Sequence, residues 1–248
     1  MVGRVLLVGE SWVSVTTHYK GFDHFVSGSY DIGVAYFRRA MDGWGDWVHM
    51  PSHEAQANFP LEAEGLSDYS VIILSDIGAD TFLLHPRTWI NGERTTNRLR
   101  LIEEYVRGGG GLIMAGGYLS YQGINSAARY RGSPVEETLP VELEPYDDRV
   151  ECPEGVQPKK SKAKHEITKG LTTTWPHLLG YNRIRAKKEV DVLATVGVDP
   201  LLVVGVHGEG RAVAWTSDIG PHWCPKEFAE WDGYTTLWRR MIAWASGE

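Results

Sequence analysis

The sequence predicts a three-layer α/β/α fold, in which a mostly parallel β-sheet lies between two layers of helices. Three short aliphatic runs, at residues 4–8, 71–74 and 112–115, lack the alternation of a half-exposed strand and are typical of strands buried on both faces. Segments with apolar residues at helical spacing separate these runs. Strands that alternate with helices indicate right-handed crossovers and a parallel sheet. The predicted arrangement is therefore doubly wound and flavodoxin-like.

The remaining elements follow from local periodicity and from turn residues. They are a helix at 30–41, a strand at 47–50, a helix at 97–107, strands at 190–196, 201–206 and 211–217, and a closing helix at 234–244. The glycine turn at 207–210 predicts a hairpin between the last two strands. Residues 143–189 are rich in Pro, Gly and charged residues, and we expect an irregular insertion there.

Composition places the chain among ordinary folded proteins. Its 248 residues are 42% hydrophobic and 23% charged, so we predict a single domain over residues 1–248. No apolar run approaches the roughly 18 residues of a membrane helix, no signal-peptide pattern opens the chain, and two cysteines fit a reducing compartment. We therefore expect a cytoplasmic protein with no membrane partner. The net charge of -7 disfavours nucleic acid as a partner.

Polar residues follow the predicted strands, at the edge where ligands bind in open α/β sheets. They are Glu10 and Ser11 after the first strand, Asp76 after the strand at 71–74, Gly117, Tyr118 and Ser120 after the strand at 112–115, and Asp218 and His222 after the last strand. We expect these side chains to converge on one rim. The Gly116-Gly117 pair stands where a sharp strand-to-helix turn would form a nucleophile elbow.

Two readings are open for the aspartates of this rim. The tetrapeptide Ser-Asp-Ile-Gly occurs at 75–78 and again at 217–220. Asp76 and Asp218 are either turn and cap residues, with Gly supplying a positive φ, or carboxylates of a polar pocket. The four glycines at 108–111 are best explained as a helix end and a turn, because no Gly-Lys-Ser/Thr follows them.

Several motifs carry a resemblance to a known family. The segment 105–118 resembles the helix, strand and elbow of glutamine amidotransferase-like and ThuA-like proteins. Further matching motifs are Gly-Glu-Ser-Trp at 9–12, Lys-Gly-Phe-Asp at 20–23, Ser-Asp-Ile-Gly at 75–78, Gly-Gly-Tyr-Leu-Ser at 116–120, Thr-Leu-Pro-Val at 138–141, Asp-Asp-Arg-Val-Glu at 147–151 and Asp-Ile-Gly-Pro-His-Trp at 218–223. These resemble the family labelled putative glutamine amidotransferase, which implies a class I glutamine amidotransferase-like fold over nearly the whole chain.

The sequence departs from this family pattern at the nucleophile. The resemblance implies a Gly-x-Cys-x-Gly elbow, and aligning that pattern puts Tyr118 at the cysteine and Ser120 at the second glycine. A phenol is a far weaker nucleophile than a thiolate at neutral pH. His222 stands where the catalytic histidine is expected, without a following glutamate. We therefore predict no glutaminase activity, with His222, Ser120 and Tyr118 as catalytic candidates and Glu10, Ser11, Asp76, Gly117 and Asp218 as substrate-binding candidates.

Three functions stay open at this stage. The first is an enzyme that acts on a small polar or sugar-like metabolite, with His222 and a carboxylate sharing acid and base roles. The second is a ligand-binding or scaffold protein, and the third is an active glutaminase with an unrecognised nucleophile. No histidine spacing matches a metal motif, so we predict no metal and no cofactor. Ten tryptophans favour core and interface uses, and we expect a homo-oligomer.

Overall fold

An eight-stranded sheet forms the centre of the computed structural model, which describes residues 3–248. The strands are β1 (Arg4–Gly9), β2 (Ser11–Lys20), β3 (Asp23–Ile32), β4 (Trp47–Met50), β5 (Tyr69–Ser75), β6 (Gly111–Ala115), β7 (Val141–Leu143), β8 (Arg149–Val156), β9 (Pro158–Lys160), β10 (Leu178–Asn182), β11 (Ile184–Ala186), β12 (Asp191–Val196), β13 (Asp199–His207) and β14 (Gly210–Trp215). The α-helices are α1 (Ala35–Met41), α2 (Ser52–Asn58), α3 (Ala79–Leu83), α4 (Pro86–Trp89), α5 (Arg98–Arg107), α6 (Pro134–Thr138), α7 (Lys226–Ala229) and α8 (Asp232–Ala245).

The strand order confirms the predicted fold class. It is β4-β1-β5-β6-β14-β13-β12-β9, with parallel pairing from β4 to β14 and antiparallel pairing beyond. Counted among themselves, the five parallel strands have the order 2-1-3-4-5, which is the flavodoxin-like order. The β13–β14 hairpin, which pairs His207 with Gly210, is also as predicted. The switch in strand order lies between β1 and β5, where such folds bind ligands.

The sheet is covered on both faces, which explains the unbroken aliphatic runs of its central strands. Val5 and Leu7 of β1 pack into one core with Phe37 of α1 and residues of α8. Leu6 and Val8 point the other way, into a core shared with α2, α3 and α5. Because alternate side chains enter opposite cores, a strand buried on both faces shows no polar alternation.

The predicted helix at 30–41 is correct only in its second half. Helix α1 spans Ala35–Met41, whereas Tyr30–Ile32 belong to β3 and pair with β2. Neither strand of this hairpin was predicted from the sequence. Ten cross-strand pairs outweigh the weak helical spacing at 30–34, and the sharp turn at Gly21, with φ of +70°, is of the kind that joins two strands.

The segment 143–189, predicted as irregular, contains short strands. β8 pairs with β10, β11 pairs with β7, and β9 adds to the edge of the main sheet. These strands lack a clear signal because β7, β9 and β11 have three residues each and the longer β8 has no buried face, so composition dominated the pattern. Among residues 3–248, none of the helices combines the length and the apolar character needed to cross a membrane.

Candidate active site

Four parallel strands deliver the candidate residues to one edge of the sheet. β1 ends before Glu10, β5 before Asp76, β6 before the Gly116-Gly117 turn that leads to Tyr118, and β14 leads to Asp218. Glu10, Asp76 and His222 have positive φ values of 51°, 45° and 123°. Such a conformation is costly for residues other than glycine and clusters at functional sites. The backbone at these positions therefore adopts a strained conformation, and this conformation sets the direction of the three side chains.

Glu10 is a buried carboxyl group without a cationic hydrogen-bond partner. Its side chain is 2% exposed, and the Ser75 hydroxyl donates a hydrogen bond of 2.6 Å to its Oε2. Burial, together with the nearby charges of Asp218 and Asp76, raises the pKa of Glu10 well above its usual value. Gly33 is required beside it, because a Cβ there would lie 2.3 Å from Glu10 Oε1. Burial and the two neighbouring carboxyl groups thus make ionisation of Glu10 more costly than in water.

Asp76 forms hydrogen bonds with the elbow, the turn at residues 116–120. The amide of Leu119 donates to Asp76 Oδ1 at 2.6 Å, and the amide of Asp76 donates to the Ser120 hydroxyl at 3.1 Å. Burial raises the pKa of Asp76, although the elbow amides partly oppose that shift. In a nucleophile elbow, the amide of the residue after the nucleophile stabilises an oxyanion. If Tyr118 is at the nucleophile position, that amide is Leu119, and it is already bound to a carboxylate.

Asp218 and His222 form the second half of the rim. The Nδ1 atom of His222 lies 3.5 Å from Asp218 Oδ2, and the amide of Ile219 donates to Asp218 Oδ1 at 2.7 Å. Burial, followed by the charge of Asp76, raises the pKa of Asp218 well above its usual value. The His222 side chain is 40% exposed, so its ring is accessible from solvent while Asp218 is not. This pairing leaves Nε2 of His222 free to face a ligand.

Aromatic contacts bring Tyr118 onto His222. The two ring centroids are 4.1 Å apart in an edge-to-face arrangement, and the Trp223 ring stacks on His222 at 5.5 Å. The Arg149 guanidinium lies 4.6 Å from the Tyr118 ring centroid. Burial and the neighbouring Glu151 raise the pKa of Tyr118, which favours the neutral phenol. Tyr118 is therefore suited to hydrogen bonding and to stacking rather than to nucleophilic attack.

Five residues that support this site were not among the sequence-based candidates. Asn182 accepts a hydrogen bond from the amide of Gly117 at 3.0 Å, and its Nδ2 donates to Asp148 Oδ1 at 2.8 Å. Arg149 contacts Tyr118, and the Trp223 indole donates to Glu151 Oε2 at 3.0 Å. Three of the five belong to the motif at 147–151, which carried the family resemblance but no assigned role. Only the folded insertion brings them over the elbow.

A cavity of about 260 Å³ opens beside Asp76. Its other lining residues include Ser11, Trp12, Tyr30, His53 and Leu119. Ser11 is buried, and its hydroxyl accepts a hydrogen bond from the amide of Ser52 at 2.8 Å. Among residues 3–248, no group of three or more His, Cys, Asp and Glu side chains is arranged to hold a metal ion.

Neither cysteine offers an activated thiol. Cys224 is fully buried, and burial raises the pKa of its thiol well above the usual value, with Asp218 and Glu10 adding to the effect. Burial and the nearby Glu154 and Glu151 raise the pKa of Cys152 as well. A catalytic thiol needs a lowered pKa, since the thiolate is the nucleophile. Neither Cys152 nor Cys224 therefore has the lowered pKa that a catalytic thiol needs.

Most of the predicted site residues meet in the structure. His222 contacts both Tyr118 and Asp218. The charges of Asp218 and Asp76 both raise the pKa of Glu10, and the charge of Asp76 raises the pKa of Asp218, so these three carboxyl groups lie near one another. Gly117 packs against Asp76, because a Cβ at that position would lie 2.8 Å from Asp76 Oδ1. Ser120 is buried under the elbow, with its hydroxyl engaged by the amide of Asp76. Ser11 lies at the far side of the cavity, next to α2.

The sequence matches the model of a family described as putative glutamine amidotransferase over residues 4–247. The chain belongs to this family. Two cytoplasmic proteins of Salmonella typhimurium have similar structures. One is 40% identical with a TM-score of 0.94, covering 97% of this chain and 98% of that chain. The other, from strain LT2, is 42% identical with a TM-score of 0.94, covering 98% of this chain and 99% of that chain.

A putative ThuA-like protein from Parabacteroides merdae is a more distant structural neighbour. It is 15% identical with a TM-score of 0.57, covering 99% of this chain and 90% of that chain. Identity that low demonstrates a shared fold alone. A search of curated proteins gave no match. The predicted resemblance to the amidotransferase-like and ThuA-like proteins is thus confirmed at the level of family and fold.

Proposed function

We propose that this protein binds a small polar or sugar-like metabolite at the strand-end rim and transforms it by acid–base chemistry, without hydrolysing glutamine. One observation carries the proposal: Tyr118, His222 and Asp218 form a continuous chain of contacts beside two further buried carboxyl groups. The raised pKa values of Glu10, Asp76 and Asp218 are of the kind that marks catalytic acids and bases. Interacting groups of this sort titrate together and exchange protons over a range of pH.

The proposal gives the rim residues different roles. His222 accepts or donates a proton at Nε2, because Nδ1 faces Asp218, which orients the ring. The Tyr118 phenol supplies hydrogen bonds to hydroxyl or carboxylate groups of the ligand. The Arg149 guanidinium, which pairs with Asp147, lies over the Tyr118 ring and positions it. Asp76 and Ser120 position the elbow through their backbone and side-chain contacts. In this assignment Ser120 is a positioning residue, since its hydroxyl already accepts a hydrogen bond inside the protein.

Two features argue against glutamine hydrolysis. That reaction passes through a thioester formed by a cysteine at the elbow, and Tyr118 occupies the position. It also needs a free amide to stabilise the oxyanion, yet the Leu119 amide donates to Asp76. A carboxylate at this point would repel a developing oxyanion. A cytoplasmic location fits this metabolic role. The two similar Salmonella proteins are also described as cytoplasmic.

The first experiment measures ammonia release from glutamine by the wild type and by the Cys152→Ala/Cys224→Ala variant. We expect no release from either protein. Release that depends on either cysteine would restore a thiol mechanism and overturn the proposal. The second step is a thermal-shift and calorimetric screen of small polyols, sugars, sugar acids and hydroxy acids, followed by product analysis for each binder. A ligand that binds at the rim and is never converted would favour a binding protein over an enzyme.

A further inference from the structure

Strands β2 and β3 form a hairpin, which we call the arm (residues 11–32), that pairs with no other strand among residues 3–248. Of its two strands, only Ser11 is buried and only His18 is half-buried. Phe22, at the tip, is fully exposed. A two-stranded hairpin is at best marginally stable in water by itself. We therefore expect an arm of ten cross-strand pairs to pack against another surface.

The two faces of the arm differ in chemistry. Side chains alternate between faces along each strand, and directly paired residues share a face. One face, which we call the apolar face, carries Val13, Val15, Tyr19, Val26, Tyr30 and Ile32, whose exposed fractions lie between 45% and 78%. No Lys, Arg, Asp or Glu lies on it. The opposite face carries the charged residues Lys20, Asp23 and Asp31 together with the exposed aromatic residues Trp12 and Phe25, so charge is what distinguishes the two faces.

The rest of the chain covers only the base of the arm. The Tyr30 ring packs edge-on against His53 with centroids 5.0 Å apart, and the Ser52 amide donates to the Ser11 hydroxyl. A ten-residue strand is about 34 Å long, so most of the apolar face extends beyond these contacts. Exposed apolar side chains that form a continuous patch mark interaction sites.

We infer that the apolar face packs against the same face of the arm of a second copy of this chain, in a two-fold symmetric dimer. The absence of charge on the face favours this occupant, because nothing on it selects a partner of opposite charge. The area also fits. The six apolar side chains expose on the order of 700 Å² per copy, close to the roughly 800 Å² that each partner buries in a standard interface. Isologous contact of one face with itself closes the assembly at two copies.

The arm directly follows a rim residue in the chain, so dimerisation through the arm would also affect the candidate active site. Glu10 immediately precedes β2, and the Gly33 amide, just after β3, donates to the Glu10 carbonyl at 3.0 Å. Trp12 and Tyr30, at the base of the arm, line the cavity beside Asp76. A fixed arm would therefore hold one wall of the cavity in place. The inference concerns the assembly and does not depend on the proposed acid–base chemistry.

The test is the dimer dissociation constant, measured by analytical ultracentrifugation of the full chain. We expect the wild type to be dimeric at micromolar concentration. The Val15→Lys/Val26→Lys variant should raise the dissociation constant at least 100-fold. The matched control is Thr16→Lys/Ser27→Lys, which adds the same charge at neighbouring exposed positions on the opposite face, and it should change the constant less than threefold. Circular dichroism and thermal unfolding of both variants check that the monomer folds.

A mixing experiment distinguishes contact between arms from contact of an arm with the body of the partner. Val15→Glu/Val26→Glu should be monomeric alone, like the lysine variant, whereas an equimolar mixture of the two should form heterodimers. A monomeric wild type would overturn the inference. So would a lysine variant that stays dimeric, or a mixture that stays monomeric although both variants are folded.

Discussion

Glu103 and Glu10 are both buried glutamates, and they lie at opposite ends of the same sheet. The side chains around them differ in charge. Glu103 of α5 lies at the amino end, is 1% exposed, and accepts hydrogen bonds from Arg107 and from His207 Nε2. The Arg107 hydrogen bond is the main reason that its pKa lies below the usual value. Glu10, at the carboxyl end, has the Ser75 hydroxyl as a partner and two carboxyl neighbours, and its pKa is raised.

The difference separates a structural acid from a candidate functional one. A buried carboxylate that is paired with cations contributes to stability when both partners are present. A buried carboxyl group that faces other carboxyl groups costs stability in its ionised form. Selection for stability alone would not keep three such groups together at the rim. The comparison therefore predicts that the two ends respond differently to the same substitutions.

The largest expected effect is on the turnover of the metabolite. For any metabolite that the screen identifies, His222→Ala should lower turnover at least 100-fold, because the ring oriented by Asp218 is lost. The matched control, His207→Ala, removes the histidine that pairs with Glu103 at the other end and should change turnover less than twofold. Steady-state kinetics of both variants checks this. Equal losses in the two variants would show that the rim has no special role.

The next effect is on the free energy of unfolding at pH 7. Glu103→Gln should lower it by about 2 kcal/mol, since charge-assisted hydrogen bonds to Arg107 and His207 are weakened. Glu10→Gln should raise it by on the order of 1 kcal/mol, because the amide carries no charge into the carboxyl cluster. Urea unfolding measures both values. A destabilised Glu10→Gln protein would contradict the electrostatic account of the rim.

The pH dependence of these differences should have opposite signs. The pKa of Glu10 is raised in the folded state, so its ionisation costs stability as pH rises above the ordinary value of 4.5 through the raised one. The advantage of Glu10→Gln should therefore be near zero at pH 4.5 and grow toward pH 8. The pKa of Glu103 is lowered, so its contribution is present at neutral pH and is lost as pH falls through that lowered pKa. Urea unfolding between about pH 3 and pH 8 tests both directions, because the loss for Glu103 falls below pH 4.5 and the effect of Glu10 lies above it.

A separate prediction concerns the reactivity of the two thiols. Burial and the negative charge of the rim raise the pKa of Cys224, and we expect iodoacetamide at pH 8 to modify it at least 100-fold more slowly than a free cysteine. Cys152, which is half-buried, should react at an intermediate rate. Mass spectrometry of a labelling time course gives both rates. Rapid labelling of native Cys224 would show that a reactive thiol exists beside the rim after all.

Several side chains of the candidate site were predictable because parallel strands impose a simple rule. Residues just after such strands meet at one edge, and this rule placed Glu10, Asp76 and Asp218 correctly near one another. The partners from the insertion were not predictable in the same way. Arg149 reaches Tyr118 only because β8 pairs with β10 far along the chain, and no local pattern encodes that pairing.

The arm and Arg98 are two further features that local sequence patterns do not predict. The helical spacing read at 30–41 concealed a strand, because the cross-strand pairs that define β3 lie on the far side of a turn. Arg98 begins a helix that was correctly predicted from 97, yet its side chain is fully buried. It donates hydrogen bonds to the carbonyls of Phe82 and Thr81 and to those at the end of α2. Sequence alone would place a first-turn arginine in solvent.

The sequence by itself determined the α/β class, the order of the central strands along the chain and the family, because these depend on local periodicity and residue identity. Tertiary structure decided the surroundings of each rim residue: the Asp76 carboxylate on the Leu119 amide, the stack of Tyr118, His222 and Trp223, and the exposed arm. Burial and charge at a site are sums over residues distant in sequence, so they exist only once the chain is folded.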